Sequence, residues 1–176
     1  MKLHIAMSLL TFLGLSSFAK ADPLAVGAAA PVLSAPDQDG KTVNFKDVYA
    51  KGPTLVYFYP KADTPGCTQQ SCNLQDAFPQ LKKLKAGVVG ISPDPVEKQL
   101  KFADKYKLKF PLLADTDHAV AEAWGVWGEK SLYGRKFMGI VRSAFVVDEK
   151  GKLSGVFYKV SPKDTVPKAE AVLRGE

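Results

Sequence analysis

The chain has 176 residues, of which 46% are hydrophobic and 24% are charged, and its formal net charge is +6. It contains no low-complexity segment and no internal repeat, so the composition is typical of a globular protein. The lysines are spread along the chain and accompany no recognised reading module, which argues against nucleic-acid binding.

The first 21 residues have the pattern of an export signal. A short basic start precedes an apolar run at residues 5–19, and Ala19-Lys20-Ala21 is a small-x-small cleavage pattern. A membrane anchor or a buried helix is the alternative, but the run of about 15 residues is shorter than the roughly 20 that a spanning helix needs. We therefore expect 1–21 to be a cleaved signal peptide and 22–176 to be a single domain, exported to the periplasm without stable membrane association.

From residue 42 onward, strand patterns alternate with helical patterns. Strands joined by helices imply parallel pairing, and a hairpin near the C-terminus adds antiparallel strands. We therefore predict an α/β domain with a mixed central sheet and helices on both faces. The predicted strands are 42–45, 54–59, 87–92, 111–115, 140–147 and 152–160; the predicted helices are 67–85, 96–106, 119–124 and 164–174; and 127–134 is predicted to be irregular.

Two features concern the ends and the continuity of helices. Pro79 lies inside the first long helix and is expected to kink it, or to split it after Phe78. Asp164 or Ser161 is expected to cap the last helix.

Both cysteines follow the apolar strand 54–59. Pro60 ends that strand, and Cys67 comes directly after the Pro65-Gly66 turn, at the start of the next helix. Unpaired N–H groups and the positive end of the helix dipole favour a thiolate there. Because a thiol is nucleophilic only when it is ionised, chemistry is expected in this stretch.

The spacing of Cys67 and Cys72 argues against a static disulfide. On one helix their Cα atoms would lie about 8.6 Å apart, whereas a disulfide requires roughly 4.4–6.8 Å. Either the segment is never helical, or it unwinds when the bond forms. The intervening residues 69–71 are polar, which is typical of a segment held by little apolar packing.

Arg142 interrupts an apolar strand pattern. A guanidinium in such a place is costly unless it meets an anion or faces water. It is therefore the candidate cation for the Cys67 thiolate, and an edge-strand arginine in solvent is the alternative. Thr64 and the turn amides are candidate hydrogen-bond donors to the same sulfur.

The string from Tyr59 to Thr68, YPKADTPGCT, resembles the bacterioferritin-comigratory, or Q-type, branch of the peroxiredoxins. Within it, Pro60-x-x-x-Thr64-x-x-Cys67 is similar to the peroxidatic motif of that family, and Cys72 follows five residues later. The resemblance extends over residues 26–173 through an ordered series of further segments, namely 90–94, 110–115, 127–130, 133–135 and 139–143.

This resemblance implies a thioredoxin-like fold and a thiol peroxidase. Cys67 would be the peroxidatic cysteine, and Cys72 would resolve its sulfenic acid in an intramolecular disulfide. Thr64 would orient the thiolate and the peroxide, Arg142 would stabilise the developing charge, and Pro60 would shield Cys67 from water. The implied substrates are hydrogen peroxide and organic hydroperoxides, and the implied reductant is a thioredoxin-like dithiol protein.

The resemblance also implies a monomer, and we expect no cofactor. A metal site is not expected either, because His118 and the two cysteines have no recognised ligand spacing. Three departures from the branch leave the rate and the reductant preference open: Ala144 replaces a frequent threonine, Pro79 lies in the cysteine helix, and the last helix lacks a histidine.

Two other functions compete with a peroxidase. A disulfide oxidoreductase on the same fold would favour a C-x-x-C motif, which the chain lacks. A non-enzymatic binding domain would use the cysteines as a static clip. A disulfide oxidoreductase would not consume peroxide, whereas a peroxidase would. In a binding domain, removal of the Cys67 thiol would leave peroxide consumption unchanged, whereas in a peroxidase it would abolish it.

Overall fold

A computed structural model describes residues 23–176, so the predicted signal peptide at 1–21 lies outside the described residues. None of the helices in the described part is long and apolar enough to cross a membrane. The elements are β1 (Ser34–Pro36), β2 (Thr42–Asn44), α1 (Phe45–Tyr49), β3 (Thr54–Phe58), α2 (Pro65–Lys83), β4 (Gly87–Ser92), α3 (Val96–Tyr106), β5 (Leu112–Ala114), α4 (Ala119–Ala123), β6 (Trp127–Leu132), β7 (Arg135–Ile140), β8 (Ser143–Val147), β9 (Leu153–Tyr158), a 3₁₀ turn (Pro162–Asp164) and α5 (Thr165–Arg174).

The central sheet has five strands in the order β5-β4-β3-β8-β9. β3 pairs in parallel with β4 and antiparallel with β8, so the sheet is mixed, as predicted. All five residues of β3 are buried, which explains why its sequence is apolar without alternation. The pairs β1-β2 and β6-β7 form separate two-stranded sheets.

Apolar clusters cover both faces of the central sheet. Val56 and Phe58 belong to one cluster, whereas Leu55 and Tyr57 belong to the other, because successive residues of a strand point to opposite faces. Helix α2 packs on the second face through residues that include Leu74. This packing holds the start of α2 beside the end of β3.

Helix α2 is continuous, so of the two effects predicted for Pro79, a kink or a split after Phe78, the split is wrong. Leu74 and Leu81, on either side of the proline, are both fully buried in the same apolar cluster. Their burial offsets the backbone hydrogen bond that the proline cannot donate. In the last helix, Asp164 takes the predicted N-cap position of α5, but its side chain makes no capping hydrogen bond.

Two other predictions of secondary structure were wrong, and one helix was missed. The predicted strand 140–147 is broken, because β7 ends at Ile140 and β8 begins at Ser143. The predicted irregular segment 127–134 lies mostly in strand β6 of a hairpin, whose turn uses Tyr133 and Gly134 at positive φ. Helix α1 was not predicted; Asn44 begins it by accepting a hydrogen bond from the N–H of Lys46.

Candidate active site

Cys67 lies in the first turn of α2, as predicted, and its side chain is buried, with 1% exposed. Thr64 takes the N-cap position, and Pro65 is the first helical residue, where a missing N–H costs nothing. The sulfur is therefore near the positive end of a 19-residue helix. This placement favours an anionic sulfur.

The guanidinium of Arg142 contacts Cys67 directly. Its Nη2 lies 3.3 Å from the Sγ of Cys67, and its Nη1 donates a hydrogen bond of 2.6 Å to Oε1 of Gln70. Arg142 lies in the short break between β7 and β8 rather than within a strand. The guanidinium is thus directed at the thiol, and the alternative of an edge-strand arginine in solvent does not hold.

Gly66 leaves space for this guanidinium. A Cβ at position 66 would lie 3.3 Å from Nη2 of Arg142 and 3.7 Å from Cγ of Pro162. A larger side chain would therefore compete with Arg142 for the place beside Cys67. Gly66 is part of the motif found in the sequence, but this reason for a glycine required the structure.

Gln70 holds Arg142 in position and was not predicted as a site residue. Its side chain is fully buried, and its Nε2 donates a hydrogen bond of 2.9 Å to Oγ1 of Thr165. The Thr165 hydroxyl in turn donates to the carbonyl of Ser161 at 3.1 Å. This chain of hydrogen bonds connects Arg142 to the start of α5. The available sequence signal was the spacing, since a residue three positions after Cys67 shares its helix face.

Thr64 and Pro60 lie on the turn that precedes α2. The Thr64 hydroxyl donates a hydrogen bond of 2.8 Å to the carbonyl of Lys61, and not to the sulfur of Cys67 as expected. Its oxygen therefore remains an acceptor. Pro60 is half-buried and directly follows the fully buried Tyr59.

Cys72 is half-buried in the same helix, and both cysteines are free thiols. Burial, and secondarily the nearby carboxylate of Asp76, raise the pKa of the Cys72 thiol. Because α2 is continuous through both residues, ideal helix geometry places their Cα atoms about 8.6 Å apart. Of the two alternatives left by the sequence, the structure selects a helical segment that must unwind before a disulfide forms.

The segment between the cysteines is held by buried hydrogen bonds. Oγ of Ser71 lies 2.9 Å from the hydroxyl of Tyr57, and both residues are fully buried. Burial raises the pKa of Tyr57 far above its ordinary value, so this hydroxyl stays protonated. The expectation of weak apolar packing thus misses what anchors the segment. Unwinding must break this bond and those of Gln70. The neutral bonds are each worth roughly 0.5–1.5 kcal/mol net, and the bond between Gln70 and Arg142 is worth about 1.5–3 kcal/mol.

Comparison with known proteins identifies the family. The model of the AhpC/TSA family matches residues 26–156. Peroxiredoxin Bcp of Escherichia coli (strain K12) is 52% identical over 136 residues, which cover 77% of this chain and 86% of that protein. The chain therefore belongs to the AhpC/TSA family, as a peroxiredoxin of the bacterioferritin-comigratory branch.

Solved structures agree with this family. The crystal structure of peroxidoxin BcpB from Mycobacterium tuberculosis superposes with a TM-score of 0.77 and 36% identity, over 85% of this chain and 96% of that one. The bacterioferritin comigratory protein of Xanthomonas campestris superposes with a TM-score of 0.73 and 31% identity, over 81% of this chain and 88% of that one. The thioredoxin-like fold implied by the resemblance is confirmed.

Proposed function

We propose that this chain is a thiol peroxidase in which Cys67 reduces the peroxide and Cys72 resolves the product. The observation that carries the proposal is the 3.3 Å contact between Nη2 of Arg142 and Sγ of Cys67, at the start of a helix that also contains a second thiol. Membership of the peroxiredoxins favours this function over a disulfide oxidoreductase without peroxidase activity.

In the first step, the thiolate of Cys67 attacks the terminal oxygen of the peroxide. An S–O bond forms as the O–O bond breaks, and the leaving oxygen takes a proton from solvent and departs as water or an alcohol. Arg142 donates hydrogen bonds to the charge that develops, and Oγ1 of Thr64 accepts from the peroxide O–H. Pro60 limits the access of water to the sulfur.

In the second step, Cys72 attacks the sulfenic acid of Cys67. The S–S bond forms, the S–O bond breaks, and the oxygen leaves as water. The first turns of α2 unwind to bring the two sulfur atoms together. A thioredoxin-like dithiol protein then reduces the disulfide by thiol–disulfide exchange, which restores both thiols.

The proposed substrates are hydrogen peroxide and organic hydroperoxides. Support for the organic substrates comes from the Xanthomonas campestris relative, whose solved structure concerns alkyl peroxide reduction activity. The proposed working form is a monomer, which size-exclusion chromatography with light scattering tests directly.

Export to the periplasm is also proposed, with residues 1–21 as the cleaved signal. The basic start, the apolar run and Ala19-Lys20-Ala21 support it, and the family match begins only at residue 26. Because disulfides persist in an oxidising compartment, the enzyme would need a dedicated dithiol donor there. Mass spectrometry of the protein recovered from fractionated cells is expected to find Asp22 at its N-terminus in the soluble periplasmic fraction; an intact Met1 would overturn this.

The activity is tested by coupling the protein to thioredoxin, thioredoxin reductase and NADPH. The expected result is NADPH oxidation that depends on added hydrogen peroxide or cumene hydroperoxide. In parallel, reduction of insulin disulfides by the protein is expected to be negligible. Insulin reduction without peroxide consumption would favour the disulfide oxidoreductase instead.

A further inference from the structure

A cavity of about 460 Å³ lies at the end of the central sheet opposite to Cys67. Its walls come from the beginnings of β3 and β4, from the C-terminal half of α2 and from the loop before β5. Thr54, which lines it, precedes Pro60 by six residues of mostly extended chain, or about 20 Å. The cavity is therefore separate from the peroxidase site.

The interior of the cavity is apolar and aromatic. Phe110, Val88 and Ala86 are buried along its wall. Phe78 of α2 packs edge to face against Phe110, with ring centroids 5.6 Å apart. The volume falls within the roughly 300–1,000 Å³ of small-molecule sites. An aliphatic or aromatic body would fit this interior.

Positive charge surrounds the same cavity. Four exposed lysines line it, and no aspartate or glutamate of the described part of the chain does. Within residues 23–176, none of the four forms an ion pair with a carboxylate. A positive rim that lacks a protein counter-charge attracts anions. The lysines are Lys51, Lys82, Lys85 and Lys109.

The backbone brings together the two loops that carry Lys51 and Lys85. Gly52, next to Lys51, has a φ of 134°, and a Cβ at this position would lie 2.8 Å from the carbonyl oxygen of Lys85. The two loops therefore meet at a contact that only a glycine permits. Both loops therefore contribute a lysine to the same side of the cavity.

We propose that this cavity binds an amphipathic monoanion, a long-chain carboxylate of the fatty-acid type. The alkyl chain packs against Phe78 and Pro111, which are half-buried and line the cavity, and the carboxylate lies among the lysine ammonium groups. A neutral lipid would leave the lysines unpaired, and a small inorganic anion would leave the apolar wall in contact with water. This site is independent of the peroxidase reaction.

The test is a titration of the reduced, ¹⁵N-labelled full chain with decanoate, followed by NMR. Saturable binding is expected below the critical micelle concentration of decanoate, with shifts centred on the amides of Gly52, Ala86 and Gly87. Decanol is expected to bind at least tenfold more weakly, and inorganic phosphate likewise. Equal affinity for decanol or for phosphate would overturn the proposal, as would the absence of saturable binding or shifts centred on Cys67.

A pair of double variants separates this site from general surface charge. Lys82→Gln combined with Lys109→Gln is expected to weaken decanoate binding at least tenfold. Lys101→Gln combined with Lys150→Gln removes two exposed lysines that do not line the cavity, and should leave the affinity unchanged. Both double variants should keep the wild-type rate of oxidation by peroxide. Equal losses of affinity in the two variants would contradict a defined site.

Discussion

Nη2 of Arg142 lies 3.3 Å from Sγ of Cys67, although 75 residues separate the two in the chain. The register of the central sheet brings them together, because Phe58 at the end of β3 pairs with Ser143 at the start of β8. The segment that leads from β3 to Cys67 leaves the sheet at the end of the strands where Arg142 precedes β8. The contact is thus a consequence of how the two strands pair.

Replacing Arg142 tests whether this contact is catalytic. Arg142→Met is expected to slow oxidation of the reduced protein by hydrogen peroxide about 10²-fold, because one preorganised donor is worth about that much. Arg142→Lys should recover little, since one ammonium cannot reproduce the planar fork that reaches both Gln70 and Cys67. Stopped-flow kinetics measure the rate. Arg135→Met, on the exposed hairpin, is the control, and an undiminished rate in Arg142→Met would rule out the role.

Gln70 is expected to act by positioning Arg142. Gln70→Leu removes the acceptor of Nη1, and we expect oxidation to slow at least about tenfold, because a hydrogen bond to a charged group is worth about 1.5–3 kcal/mol and about 1.4 kcal/mol corresponds to a tenfold change in rate. Gln69→Leu changes the exposed neighbour on the same helix and should have no effect on the rate. If the two variants reacted equally fast, Gln70 would have only a structural role.

The hydrogen bond between Tyr57 and Ser71 is expected to restrain the unwinding of α2. Tyr57→Phe should lower the free energy of unfolding by about 1–2 kcal/mol and accelerate formation of the Cys67–Cys72 disulfide. The first step, oxidation by peroxide, should keep its rate. Quenched-flow thiol labelling and denaturant unfolding measure these quantities.

Tyr49→Phe is the matched control for that variant. Its hydroxyl donates to the carbonyl of Pro31 at 3.1 Å, in the apolar cluster on the other face of the sheet. It should lower stability without accelerating disulfide formation. Acceleration in both variants would mean that general destabilisation is responsible, and not the bond to Ser71.

Asp76 is expected to contribute, after burial, to the pH dependence of the disulfide step. Burial and the Asp76 carboxylate both raise the pKa of Cys72, which reduces its thiolate fraction near neutral pH. Asp76→Asn removes the second cause, so the pKa should fall toward its ordinary value, and the pH profile of disulfide formation should move to lower pH. Glu149→Gln, an exposed acid elsewhere, should not move it. An unchanged profile in Asp76→Asn would show that Cys72 leaves this carboxylate before it reacts.

The apolar pattern was sufficient to predict much of the fold. Strand β4 and helix α3 lie at the predicted bounds, because a buried strand and an amphipathic helix each leave a clear periodic signal. The hairpin β6-β7 was missed because its strands are largely exposed and carry little apolar alternation. At the site, the sequence indicated Cys67 and Arg142 as candidates, and the structure brings the two into contact.

The residues that support the site could not be predicted in the same way. Gln70 and Ser71 are polar, and the sequence suggested a loosely held segment, yet both are fully buried. Their hydrogen-bond partners lie far away in sequence: Thr165 is 95 residues from Gln70, and Tyr57 is 14 residues from Ser71. Such bonds depend on how α5 and β3 pack against α2, which local patterns do not encode.

Stopped-flow oxidation of the reduced protein by hydrogen peroxide, compared among wild type, Cys67→Ser and Cys72→Ser, tests the division of roles between the two thiols most directly. The fast phase is expected to be absent in Cys67→Ser. In Cys72→Ser it should persist and end in a sulfenic acid on Cys67, with no intramolecular disulfide. A fast phase that survives in Cys67→Ser, or wild-type turnover that leaves both thiols free throughout, would contradict the mechanism.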